Sequence, residues 1–247
     1  MFALRWLTLA AALSPLVAQD AKSDPRLSIH TLVREDLFAG YMVNDMERLE
    51  RGEKTLADLL ATRPDDRADL LAWRAATELY RAVRAHEAKD AREFQKRYQS
   101  ALATYAEAGR LGPDSIGVAA VGGASRLLFG DRLPDAAQRS PLYEEAWAMY
   151  NAMWAKQGPG VEKLPVHIKG ELLAGLTVAA QRTGRASEAG LYLDKMLTLL
   201  AGTPYEARAK RWKEQPEVAS RTTLVCQSCH EPGRLEATRA RLDRQRR

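Results

Sequence analysis

A helical spacing of apolar residues constrains the fold of this chain more than any other feature of its sequence. Over residues 36–200, apolar side chains recur at intervals of three and four, and the β-branched alternation typical of strands is missing. Side chains at these intervals share one face of a helix. Since 46% of the 247 residues are apolar, a substantial core can form. The sequence therefore predicts an all-α protein.

A longer period is superimposed on the helical one. Four alanines that open a small-residue pattern are spaced 44, 45 and 43 residues apart. They are Ala57, Ala101, Ala146 and Ala189. Each marks the predicted second helix of a hairpin, in which a first helix precedes it and packs against it. The chain should therefore contain four helical hairpins.

Helix boundaries follow from this pattern. The first helices are expected over residues 36–48, 69–86, 115–129 and 168–183. Glycine and proline should end the second helices at residues 63–65, 112–114, 158–160 and 202–204. Insertions are expected inside the hairpins at residues 87–96 and 131–140. Large aromatic residues on these helices, such as Trp73 and Tyr150, are interpreted as packing between hairpins.

The hairpin pattern resembles the tetratricopeptide repeat family. Residues 184–189, followed by Leu193, Met196 and Pro204, are similar to that family's turn and second helix. A second match is formed by Tyr105, Ala108 and Pro113. The resemblance implies degenerate hairpins over residues 27–211, arranged as a short α-solenoid or bundle with a docking surface for a partner protein. Ordinary antiparallel bundles use the same spacing and remain an alternative.

The first 18 residues have the character of a secretory signal peptide. Arg5 precedes an apolar run that begins at Trp6, and polar residues follow. An exported, periplasmic protein is therefore expected, with an uncleaved N-terminal anchor helix as the alternative. No later segment is apolar enough to predict a membrane span.

The only two cysteines of the chain lie close together near its end. Cys226 and Cys229 are followed directly by His230, which is the spacing of a c-type haem attachment site. Thiols three residues apart on a helical turn face one side and can bond both vinyl groups of a haem, and the adjacent imidazole can ligate iron. The motif predicts one covalent haem c, with His230 as the proximal iron ligand.

Three other interpretations of the cysteine pair are open. A redox-active dithiol would require a βαβ context, which the helical pattern does not provide. A structural zinc site would require two more nearby ligands, but His30, His86 and His167 are scattered along the sequence. A disulfide between Cys226 and Cys229 would close a small, strained ring.

The sixth iron ligand must come from upstream or be absent. Only 17 residues follow His230, and they include neither methionine nor histidine. The chain thus lacks the downstream methionine of single-haem cytochrome c domains, and its late motif is similar in placement to the four-helix cytochromes c′, in which this position can stay open. His167, just before the last predicted repeat, is the candidate distal ligand; a plain surface histidine is the alternative.

The C-terminal segment, residues 212–247, is expected to begin with a linker at 212–220 and to end in a basic tail. Residues 232–247 carry six arginines against two acidic residues, whereas the formal net charge of the whole chain is +5. A nucleic-acid-binding domain would spread its cations over a face of the fold, so no nucleic-acid partner is expected. The tail is either a solvated helix or a surface for haem propionates or an acidic redox partner.

These features lead to three functional hypotheses. The first is electron transfer through one haem, with the helical repeats as a docking surface. The second is a scaffold of an envelope assembly whose haem is structural or senses a small ligand. The third is a binding module without haem. No enzyme is expected, because no nucleophile elbow, phosphate loop or metalloprotease motif occurs in the sequence.

Overall fold

The computed structural model of this protein describes residues 28–226 and Arg244. The predicted signal peptide, Cys229, His230 and nearly all of the basic tail lie outside the described residues.

Every regular element in the described part of the chain is helical, so the all-α prediction is confirmed. Ten α-helices follow one another: α1 Ile29–Val43, α2 Met46–Thr62, α3 Arg67–Glu87, α4 Ala91–Leu111, α5 Ile116–Gly130, α6 Ala136–Gln157, α7 Val166–Arg182, α8 Ala186–Leu199, α9 Pro204–Glu214 and α10 Pro216–Arg221. A short 3-10 turn at Pro64–Asp66 joins α2 to α3, and another at Gly158–Lys163 joins α6 to α7. Over the described residues, no helix is both long enough and apolar enough to cross a membrane.

The helices pack mainly in consecutive pairs. The closest pairings join α3 to α4, α5 to α6, α1 to α2 and α7 to α8, and further contacts of α3 with α5 and of α6 with α7 connect the pairs. The short connections within each pair make neighbouring helices reverse direction. One core cluster is built mainly from α1 to α4, and a second joins α6 to α10.

Three of the four predicted first helices are confirmed, since α3, α5 and α7 agree with their expected bounds to within two residues. The prediction of a single helix over residues 36–48 is wrong, because α1 ends and α2 begins within this stretch. Asn44, in the left-handed conformation with φ of 59°, ends α1, and the Asp45 carboxylate accepts the Arg48 backbone N–H to cap α2. An asparagine followed by an aspartate thus closes one helix and opens the next.

The predicted ends of the second helices are confirmed: α2, α4, α6 and α8 each stop just before their glycine or proline segment. The expected insertions are mostly helix. Only residues 88–90 and 131–135 are turns, and α4 and α6 simply begin earlier than the repeat pattern suggests. The Asp90 carboxylate caps α4 by accepting the backbone N–H of Glu93.

The prediction of a linker at residues 212–220 is also wrong. This stretch continues α9 and forms α10, and Trp212 is buried at 5% exposure. The Trp212 indole donates a hydrogen bond to the Thr222 hydroxyl at 3.0 Å, and Arg182 donates one to the Thr222 carbonyl at 2.9 Å. The chain leading to Cys226 is therefore fastened to the second core cluster.

Glycine in α7 permits its close contact with α6. A Cβ atom placed on Gly175 would lie 1.9 Å from ring carbons of Tyr150, so even alanine cannot fit without displacing the ring. The group that approaches the Gly175 backbone is thus the Tyr150 side chain of α6.

Gly175→Ala should destabilise the protein by about 1–3 kcal/mol, because the added methyl overpacks the contact with Tyr150. The matched control is Gly190→Ala in α8, where a Cβ would meet nothing within 4 Å. That change should stabilise the protein by up to about 1 kcal/mol, since alanine favours helix over glycine. Urea unfolding measures both changes; equal effects would contradict the packing analysis.

Candidate functional site

An apolar cleft lies between α1, α3, α5 and α7. Its volume is about 400 Å³, within the range of small-molecule sites. Phe38, Trp73 and Tyr150 contribute aromatic walls, and α5 contributes small and aliphatic side chains. The Phe38 and Trp73 rings pack edge to face, with centroids 5.6 Å apart. The cleft therefore suits an apolar ligand better than a highly polar one.

Cys226, the first cysteine of the motif, lines this cleft. Its backbone has a φ of 62°, and the residue is only 8% exposed. Leu224 and Val225 before it are buried in the second core cluster. Buried apolar residues before Cys226 thus draw this part of the chain inward, which places Cys226 at the cleft.

A carboxylate on α7 fixes the position of Cys226. The Cys226 backbone N–H donates a hydrogen bond to one Glu171 oxygen at 2.7 Å, and the Tyr205 hydroxyl donates to the other at 2.8 Å. A hydrogen bond to a charged acceptor contributes about 1.5–3 kcal/mol. Glu171 therefore connects α7, α9 and the C-terminal segment at one point.

The same network sets the proton arrangement of His167. Its Nδ1 lies 3.1 Å from the Tyr205 hydroxyl oxygen. Because that hydroxyl gives its proton to Glu171, its oxygen accepts a hydrogen from Nδ1 of His167. The neutral imidazole then carries its lone pair on Nε2, the tautomer that second-shell acceptors commonly impose on metal-ligating histidines.

Gly170 makes room for this arrangement. A Cβ atom at Gly170 would lie 2.4 Å from the Tyr205 ring, so the bare backbone of α7 lets Tyr205 approach. His167 and Glu171 are four residues apart on the same helix and share the face on which Tyr205 packs. One turn of α7 thus presents both groups to the phenol.

His30 also lines the cleft but has a different tautomer. The Trp73 indole donates to His30 Nδ1 at 2.8 Å, and His30 Nε2 lies 3.9 Å from an Asp69 oxygen. An indole nitrogen can only donate, so the Nδ1 lone pair of His30 is used and Nε2 carries the hydrogen. While this bond is present, His30 is a poor iron ligand. Burial lowers the pKa of His30, although Asp69 opposes that shift.

Tyr150 supplies a neutral hydroxyl beside the cysteine. Burial raises the pKa of Tyr150 well above its usual range, and Cys226 and Glu171 add to the effect. The phenol therefore keeps its proton throughout the physiological range.

The predicted site residues are brought together in part. His167 and Cys226 line one cleft, whereas Cys229 and His230 lie outside the described residues. His86 is elsewhere, packed edge to face on Phe94. Within residues 28–226, no group of three or more histidine, cysteine, aspartate or glutamate side chains is arranged to hold a metal ion.

The described residues fit a haem on two grounds. The cleft is apolar and bordered by a cysteine and by a histidine of suitable tautomer. It is also bordered by Arg34, whose Nε is buried without a hydrogen-bond partner among the described residues. The porphyrin ring is apolar and its propionates are anionic, so both features match its chemistry.

Comparison of the chain with protein-family models, with curated proteins and with solved structures finds no match.

Sequence reasoning missed Glu171, Tyr205 and Arg34. A weak signal existed for two of them, because Glu171 follows His167 by four residues and Arg34 follows His30 by four. No local pattern marks Tyr205, which lies 38 residues from His167 and reaches it only through the packing of α9 on the earlier helices.

Glu171→Gln should loosen the segment that ends at Cys226. The amide of glutamine is a weaker acceptor than a carboxylate, so the Cys226 backbone N–H should exchange with solvent about tenfold faster or more. Hydrogen exchange measured by mass spectrometry reads this directly. The control is Glu50→Gln, an exposed glutamate of α2. Unchanged exchange in Glu171→Gln would show that this hydrogen bond does not hold the segment.

Proposed function

We propose that this chain is an exported c-type haem protein that transfers electrons through one covalently attached haem. The observation that carries the proposal is the position of Cys226: the first cysteine of an attachment motif lies at an apolar cleft of about 400 Å³ that His167 also borders. A motif that occurred by chance would not be expected to meet a cleft of this chemistry.

Each residue has a separate role in this proposal. Cys226 and Cys229 hold the haem through thioether bonds, and His230 is the proximal iron ligand. His167 is the distal ligand, held by Tyr205 and Glu171 with its lone pair on Nε2. When bound, haem supplies a one-electron redox centre whose potential depends on its ligands and its burial. Tyr150 and the aromatic walls exclude water.

The surface around the cleft suits a protein partner. Val166 and Ile168, on either side of His167, are 49% and 42% exposed and form an apolar edge. The basic tail supplies cations for an acidic redox partner. The paired helices, which we interpret as degenerate tetratricopeptide-like hairpins, would contribute further docking surface. Export to the periplasm fits the leader-like residues 1–18 and covalent attachment of haem outside the cytosol.

The direct test is a pyridine haemochrome spectrum combined with the intact mass of the mature protein, expressed with haem-maturation machinery. The expected result is one haem per chain, carried through two thioether bonds, on a chain that lacks its leader. A Cys226→Ala, Cys229→Ala double variant should lose covalent haem while keeping its helical circular dichroism. A colourless wild-type protein with both thiols unmodified would refute the proposal and favour the binding module without haem.

A second candidate function is a structural or ligand-sensing haem within a repeat scaffold. It is favoured by the small number of iron ligands in the cleft. Among the described lining residues other than Cys226, only His30, Met153 and His167 carry an imidazole or a thioether that could ligate iron. Trp73 already occupies the His30 lone pair. If His167 does not reach the iron, the sixth position stays open.

Binding of carbon monoxide to the reduced protein distinguishes the two candidate functions. In the electron carrier, His167 occupies the sixth position, so the reduced protein should bind carbon monoxide poorly and show a low-spin spectrum. His167→Ala should then become high-spin and bind carbon monoxide readily. His86→Ala is the matched control, because His86 packs on Phe94 away from the cleft. Ready binding by the wild type, with no spectral change in His167→Ala, would remove His167 from the site and favour sensing.

A further inference from the structure

We propose that Arg34 is the anion-binding residue of the cleft and that it pairs with a propionate carboxylate of the haem. This inference rests on the proposed function and identifies the group that orients the porphyrin once Cys226 holds it.

Arg34 lines the cleft and has no hydrogen-bond partner among the described residues. Its Nε is buried, and no hydrogen bond or ion pair joins Arg34 to any other described residue. A buried guanidinium N–H without an acceptor is unfavourable, so proteins rarely leave one unless a ligand supplies the acceptor.

Other arginines show how unusual this is. Arg48 and Arg51 share the Asp36 carboxylate, Arg81 pairs with Glu53, and Arg182 pairs with Asp131. The Nε of the buried Arg126 also lacks a hydrogen-bond partner, but its Nη2 lies 2.6 Å from a Glu145 oxygen, so that guanidinium is ion-paired. Arg34 lines the apolar cleft and forms no ion pair with a described carboxylate, which points to an anion that belongs to the cleft's ligand.

Two other polar groups of the cleft, Glu171 and His30, are not suited to bind an anion. Glu171 accepts from Cys226 and Tyr205, and His30 accepts from Trp73. Glu171 is also anionic and would repel a carboxylate. Arg34 is therefore the one permanent cation among the described lining residues.

The position of Arg34 in the fold fits the chemistry of the porphyrin. Arg34 lies on α1, whereas Cys226 follows α10 and is bonded to α7. A haem carries its vinyl-derived and propionate substituents on opposite edges. A ring tethered at Cys226 would therefore direct its propionates toward lining residues outside the C-terminal segment. The planar guanidinium of arginine can donate two parallel hydrogen bonds to one carboxylate.

The test uses resonance Raman spectra of the holoprotein, in which the propionate bending band reports hydrogen bonding to the carboxylate. Arg34→Gln should shift this band while the haemochrome stoichiometry stays at that of the wild type. Arg74→Gln is the matched control, since Arg74 is exposed on α3 and does not line the cleft. Arg34→Lys keeps the positive charge but cannot donate two parallel hydrogen bonds, so its propionate band should lie between those of the wild type and Arg34→Gln. A band at that position would show that the shift comes from ion pairing and not from loss of the fold.

A titration gives the size of the effect. In the full-length Cys226→Ala, Cys229→Ala protein, ferric protoporphyrin should bind at least about tenfold more tightly than its dimethyl ester, as expected for a charge-assisted hydrogen bond. Arg34→Gln in that background should abolish the preference. Equal binding of diacid and ester, or an unshifted band in holo Arg34→Gln, would overturn the role of Arg34 alone. Absence of haem from the wild-type holoprotein would instead overturn the proposed function.

Discussion

The hydrogen bonds of the Glu171 carboxylate hold the proposed site together. One oxygen accepts the backbone N–H of Cys226 and the other accepts the Tyr205 hydroxyl, so a single side chain of α7 joins the C-terminal segment to α9. Other contacts of this stretch are the burial of Leu224 and Val225 and the hydrogen bonds of Thr222 with Trp212 and Arg182, none of which holds the Cys226 backbone directly. The bond to Tyr205 also determines which nitrogen of His167 carries the proton. The position of Cys226 and the proton arrangement of His167 therefore depend on the same carboxylate.

Helix α7 can hold Glu171 and His167 in position because it is packed on nearly every side. Residues Leu172–Ala180 are all buried, while His167 and Glu171 near its start face the cleft. Two glycines admit aromatic rings that any larger residue would displace, Gly170 for Tyr205 and Gly175 for Tyr150. Packing and site geometry are consequently coupled: a larger residue at Gly175 would move Tyr150, which lines the cleft, and one at Gly170 would move Tyr205, which bonds Glu171.

The sequence was sufficient for the helical class and for most helix boundaries, because apolar periodicity and glycine or proline stops are local signals. It misplaced the first hairpin, where Asn44 and Asp45 turn the chain, and it treated residues 212–220 as a linker although Trp212 is buried. His167 was found through its place in the chain. Its partner Tyr205 was not, because a contact between residues 38 apart depends on how α9 packs. Arg34 could be recognised only once the cleft showed that its Nε lacks an acceptor.

The central claim is that the motif delivers a haem into the cleft between α1 and α7 and not onto the outer surface of the protein. Anomalous diffraction at the iron edge from crystals of the holoprotein tests it most directly. The account predicts a single iron peak inside the cleft, between His167 and the segment that follows Cys226. An iron peak outside the cleft, with Phe38 and Trp73 still enclosing solvent, would contradict it.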